Sequence, residues 1–142
     1  AGNVALLRDR AGDYTRSMLA EASGVDGEPL LLSEQPDARC SRDLCIADRI
    51  AGGRRWRIMA TRSPYRLSVG ELIAACRDAD IVISDRRLPR RCTPRWLRLD
   101  RPVLYRTGGV SVTLGSGAVR TVFQPGDRHP WLPIAGRNAS NR

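Results

Sequence analysis

The sequence predicts a layered α/β domain, an α+β arrangement with strands at both ends of the chain and two main helices between them. Three observations carry this. Short apolar runs bounded by Gly, Pro and Asp recur towards both ends. Two central stretches place apolar residues at helical spacing. The chain has 142 residues, 42% hydrophobic and 27% charged, which suits one globular domain with its own core.

The elements follow in order. Val4 to Arg8 is a short apolar strand that ends at a polar turn near Gly12. Tyr14, Met18, Leu19 and Ala22 share one helical face, so residues 13–23 form a helix, stopped by Gly24 as a left-handed cap. Cys45 to Ile50 and Trp56 to Thr61 are strands joined by Ala51-Gly52-Gly53, a hairpin. Ser68 followed by Glu71 is a capping box that satisfies free N–H groups at the start of a second helix. Val69, Leu72, Ile73 and Cys76 form its apolar stripe, and it ends near Asp78. Asp80 to Ser84 is a buried strand. Thr93-Pro94 reads as a cap and first helical position, opening a short turn through Leu97. Val103 to Thr107, Gly109 to Leu114 and Ala118 to Phe123 read as strands, the last two joined through Gly115-Ser116-Gly117. From Pro125 the chain turns to Gly, Pro, Asn and Ser, and 132–142 read as a flexible tail.

Charge is the most unusual global feature. There are 24 basic against 15 acidic residues, net +9, and every basic residue is Arg. A GC-rich coding sequence alone can produce that bias. Chemically, the planar guanidinium binds phosphate in a fork and stacks on bases. Such a domain is drawn to nucleic acid or anionic lipid, and the attraction fades with salt. No apolar run reaches the roughly 18 to 20 residues needed to span a bilayer. No secretory signal is legible, and the chain lacks an initiator Met, so it reads as a piece of something longer.

The single histidine, His129, cannot by itself build a His-based zinc site, and its Pro-rich setting is poor for a Ser-His-Asp triad. The cysteines Cys40, Cys45, Cys76 and Cys92 leave three readings open. Cys40 and Cys45 can close a local disulfide in an oxidising compartment. The four can hold zinc, although short Cys-x-x-Cys knuckles are absent. Or they are free thiols, with Cys76 one more apolar residue on a helix face.

The segment after the Asp80–Ser84 strand carries Arg86, Arg87, Arg90, Arg91, Arg95, Arg98 and Arg101, with Trp96 among them. Ligands gather at the carboxyl ends of strands in open α/β sheets. Guanidiniums with an aromatic neighbour suit a single-strand groove, where charge meets the backbone and bases stack. The competing account is a solvated loop paired to Asp85 and Asp100, with Trp96 anchored in the core. Trp56 and Trp131 are read as packing residues, and Asp85 as a structural partner of a neighbouring Arg.

Several runs together resemble one family. They are Ala79-Asp80-Ile81-Val82-Ile83-Ser84-Asp85-Arg86-Arg87-Leu88-Pro89, Cys92-Thr93-Pro94-Arg95-Trp96-Leu97, Arg106-Thr107-Gly108-Gly109-Val110-Ser111-Val112 and His129-Pro130-Trp131. Cys40 to Cys45 and Arg54-Arg55-Trp56-Arg57 also fit. The set is similar to the C-terminal end of ComEC-type competence proteins, the inner-membrane channels for DNA uptake, in their alphaproteobacterial form. The resemblance implies a partial, degenerate metallo-β-lactamase-like sandwich over residues 1–131 that lacks its N-terminal strands. Intact members carry His-x-His-x-Asp-His, which this chain does not contain. Where they run into His-His-Gly, this chain runs into Asp85-Arg86-Arg87. No catalytic or metal residue transfers, and no cofactor is expected.

The expected function is therefore a non-catalytic soluble domain of a DNA-translocation channel in the plasma membrane, its face left open by the residues with the periplasmic side favoured. It would contact incoming single-stranded DNA through Arg86, Arg87, Arg90, Arg91, Arg95, Trp96 and Arg98. Its partners would be the transmembrane part of the same polypeptide and other competence proteins. The alternative is a zinc-dependent hydrolase or nuclease whose ligands lie in an upstream segment.

Overall fold

The computed structural model describes residues 5–7, 12–24, 29–62 and 68–123. In chain order they form β1 (Ala5–Leu6), α1 (Asp13–Ser23), β2 (Leu30–Leu31), a 3-10 turn (Leu32–Glu34), β3 (Ala38–Cys40), β4 (Leu44–Ala51) and β5 (Arg54–Thr61). Then come α2 (Val69–Asp78), β6 (Ile81–Ile83), β7 (Leu97–Leu99), α3 (Arg101–Thr107), β8 (Val110–Thr113) and β9 (Ala118–Thr121). The chain is mixed α/β, as the apolar patterning predicts, but among the described residues it has three helices rather than two, and its main sheet is built from the middle of the chain, with only short strand pairs towards the ends.

The main sheet runs β3-β4-β5-β6-β7. Its first three strands are antiparallel, while β5, β6 and β7 are parallel. The β4–β5 turn is formed by Gly52 and Gly53, both at positive φ (61° and 72°), the backbone of a tight two-residue hairpin. That turn fixes the register, so Asp48 lies opposite Arg57 and Ile46 opposite Met59.

Parallel β5 and β6 need a crossover, and α2 supplies it. Ser68 Oγ accepts the Glu71 N–H (3.2 Å), as the capping box predicts. Leu72, Ile73 and Cys76 are buried, but Val69 is 62% exposed. One face of the sheet, through Met59 and Val82, packs on Leu72 and Cys76 of α2 and on Leu88 and Cys92 of the following loop. The other face is aliphatic too, with Cys45, Ala60, Ile81 and Leu99 buried there.

Two expected elements are corrected. Val103 to Thr107 is helical, within α3. Its β-branched and aromatic residues suggest a strand, but Pro102 sits in the first turn and Gly108 ends it at φ 71°. Phe123 covers Gly108 so closely that a Cβ there would meet its ring at 2.6 Å. The expected turn through Leu97 is also absent. Thr93 and Pro94 are irregular, and Leu97 begins β7, because parallel pairing with β6 outweighs the local cap signal. The β3 strand has no local signal, being three residues long and defined by its pairing with β4.

On α1, Gly24 is the left-handed cap that was expected (φ 66°). The stripe is not covered, however: Tyr14 is 80% exposed and Met18 48%. The residues expected to form the tail lie outside the described residues, as does His129.

Candidate nucleic-acid interface

The 84–96 segment leaves the carboxyl end of β6 and returns to the amino end of β7. Ser84 N–H bonds to Leu99 O (3.0 Å) at one end, and Trp96 N–H to Asp80 O (2.9 Å) at the other. The arginines expected to line one groove are therefore strung across a sheet face.

At the amino end the charges are matched. Asp80 is buried, and its carboxylate accepts Arg54 Nη2 and the Arg57 backbone N–H, both at 2.7 Å. Arg95 stands 3.8 Å from the same carboxylate and donates to Asp78 O (2.9 Å). Beside it, Asp48 accepts Arg57 Nε and Arg55 Nη2, each at 2.9 Å. The Arg57 hydrogen bond, reinforced by Arg55, lowers the Asp48 carboxyl to about 2. The same bond raises Arg57 above its ordinary value. An open cleft of about 240 Å³ is lined by Asp48, Arg55, Arg57, Asp78, Asp80 and Arg95. Arg54 and Arg39 also reach these carboxylates, so the arginines here are engaged by acids although they outnumber them.

Trp96 also belongs to this end. Its ring lies 5.2 Å from that of Trp56, tilted by 45°. Trp56 carries the Arg54 guanidinium over its face at 4.0 Å and donates to Ala51 O (3.1 Å). Trp96 is half-buried and packs on Trp56 in a tilted pair, outside the main core cluster. Sequence reading missed the Asp48 and Asp80 pairs, although the Gly52-Gly53 turn and the β5 register imply the first.

Across the loop the pattern changes. Pro89 O accepts the Cys92 N–H (3.0 Å), closing a β-turn with Arg90 and Arg91 at its two central positions. Arg98 Nη1 donates to Pro89 O (3.2 Å) and Cys92 O (3.4 Å), so this expected phosphate ligand also braces the turn. Leu88 is buried, and its N–H donates to the buried Asp100 carboxylate (3.1 Å). Arg87, Arg90 and Arg91 are exposed, and among the described residues they have no acidic partner. Asp85 is exposed and engaged, and Arg86 is half-buried and engaged. Its carbonyl accepts Arg101 N–H (3.1 Å) at the exposed first turn of α3.

All four cysteines are paired, which replaces both the zinc and the free-thiol readings. Cys40 and Cys45 face each other across β3 and β4 and are bonded. Cys76 on α2 is bonded to Cys92 at the end of the arginine turn, with Cα atoms 5.2 Å apart. Among the described residues no group of three or more His, Cys, Asp or Glu could hold a metal ion. No helix among them is long and apolar enough to cross a membrane.

No protein-family model, no curated protein and no solved structure matches this chain.

Proposed function

We propose that this chain is a non-catalytic domain that holds single-stranded nucleic acid by its phosphates, within a ComEC-type DNA-translocation channel of the plasma membrane. One observation carries the binding half: Arg87, Arg90 and Arg91 stand exposed on a braced turn with no acidic partner among the described residues. A guanidinium already matched by a carboxylate gains little from a phosphate, whereas an unmatched one releases counterions on binding. The chain's net charge of +9 draws a polyanion to the same surface. The channel half rests on the family resemblance of the 79–131 runs. In that reading the domain is a degenerate metallo-β-lactamase-like sandwich.

The test is a titration with an oligothymidine strand over a salt series. Three arginine contacts at about 0.7 each give a slope of log affinity against log salt of about 2. Replacing Arg87, Arg90 and Arg91 together by Gln should abolish most of that slope and weaken binding for any sequence. Unchanged affinity and slope in that variant would remove the turn from the contact surface.

A further inference from the structure

The arginine turn has three anchors, and they are not alike. Arg98 braces its carbonyls from β7. Asp100 holds the Leu88 N–H just before it. Both are hydrogen bonds, the Arg98 bonds part-exposed and the Asp100 bond buried. The third anchor is covalent: Cys92 closes the turn by its own N–H and is bonded through its sulfur to Cys76 of α2. Cys76 and Cys92 are 0% and 1% exposed, and both belong to the main core cluster. The side chain next to Arg91 is therefore fixed to a buried helix position.

We infer that the Cys76–Cys92 disulfide is a positioning cross-link, which makes the phosphate affinity of the Arg87–Arg91 turn depend on its oxidation state. This rests on the phosphate-binding reading above. The physical basis is preorganisation. Guanidiniums held on a fixed turn lose less freedom on meeting a strand than those on a loose loop. The loop between β6 and β7 has no regular structure, so its conformation is set by point anchors, among them the cross-link, the buried Leu88 and two side-chain braces. Cys40–Cys45 lies at the β3–β4 edge, on a different strand pair, and does not constrain this turn.

Opening the cross-link is a two-electron step. A dithiol reductant attacks one sulfur, a mixed disulfide forms, and the reductant's second thiol closes its own disulfide. Cys76 and Cys92 leave as two thiols, having gained two electrons and two protons, and the reductant is oxidised. Burial of both sulfurs shields them from a reductant until the loop opens locally.

The experiment compares the oxidised chain with Cys76→Ala/Cys92→Val, which keeps Cys40–Cys45, and with Cys40→Ala/Cys45→Ala as control. Two quantities are read: affinity for an oligothymidine strand, and the rate of trypsin cleavage after Arg87, Arg90 and Arg91. We expect the first variant to bind about tenfold more weakly and to be cut at these arginines at least about tenfold faster. The control should stay within about twofold on both. If the variant fails to fold by circular dichroism, the same readings are made on the native chain across a dithiol redox series. Strand binding with unchanged affinity and cleavage in the open form overturns the role of the cross-link alone. Absence of strand binding by every form, including the oxidised chain, overturns the phosphate reading itself.

Discussion

Arginine does two different jobs in two places, at the amino ends of β6 and β7 and in the middle of the loop that joins them. At the amino end, Arg54, Arg55, Arg57 and Arg95 converge on the carboxylates of Asp48 and Asp80. In the middle of the loop, Arg87, Arg90 and Arg91 face solvent with no acidic partner among the described residues. Composition does not separate the two sets, since both are runs of the same residue with a tryptophan nearby. Register separates them. The β4–β5 hairpin sets Asp48 opposite Arg57, and the start of β6 sets Asp80 against the Arg57 backbone. Among the described residues no strand carries an acid to the turn at Arg90-Arg91. Under the proposed function the first set serves stability and the second recognition, and each variant below tests that division.

The largest effect should come from Asp80→Ala. It strips a buried carboxylate from Arg54 and leaves the Arg57 N–H without its acceptor. Breaking a buried pair costs about 3 to 5 kcal/mol, and the half-exposed Arg54 brings the expectation to about 3 kcal/mol. Urea unfolding measures it, and a loss under about 1 kcal/mol would show that water already satisfies these groups. Affinity for an oligothymidine strand should not fall.

Trp96→Ala comes next. It removes half of the Trp56–Trp96 pair, and for a half-buried ring we expect a loss of about 2 kcal/mol. Sequence reading offered Trp96 as a platform for bases. Strand affinity should stay within about twofold, because the ring already packs on Trp56. A drop of tenfold or more with unchanged stability would return Trp96 to the binding surface.

How far the sequence could be read is clearest from these same residues. The Gly52-Gly53 turn, the Ser68–Glu71 cap and the Ile81-Val82-Ile83 core run are local signals, and their elements stand where they were expected. The β7 strand and the Asp80 cluster depend on pairing between segments far apart in the chain, and no local pattern announces it. α3 fell between the two cases. Pro102 and Gly108 are helix signals, but Val103-Leu104-Tyr105 read as a strand, and the chain ends had the better claim. The pairing of Cys76 with Cys92 was hidden for the same reason, since sixteen residues and a strand separate them.

Acid tests the paired region from another side. The Arg57 hydrogen bond holds Asp48 at about 2, below its ordinary value of 3.8. The folded value lies below the unfolded one, so folding favours the ionised form. Its stabilisation is complete above about pH 4 and is lost as pH falls towards about 2. The Asp48 side chain is 18% exposed and its partner Arg55 67%, so screening reduces the effect to about 1 kcal/mol. Asp37, lowered by Arg49, titrates in the same direction, so the native curve contains both. Arg57→Gln should flatten the Asp48 share, and the difference between the two pH profiles isolates it. Equal profiles would mean that Arg55 alone holds Asp48 ionised.

The smallest effect on stability should come from the residues given the largest role in binding. Arg87, Arg90 and Arg91 are exposed and touch no acid among the described residues, so replacing all three by Gln removes no ion pair there. Surface substitutions of this kind fall within about 0.5 kcal/mol. The formal net charge drops from +9 by three, to +6, which relieves self-repulsion, so the sign should be neutral to slightly stabilising at low salt. Arg55→Gln is the matched comparison from the other region. It is equally exposed but gives up the Asp48 pair, so it should destabilise by a few tenths of a kcal/mol and leave strand binding intact. Thermal melts at low and high salt, run beside the strand titration, read both quantities for both proteins. If the triple variant is the less stable of the two, the turn arginines are held by contacts that matter for folding. The division between matched and unmatched arginine would then fail at the point where it was drawn.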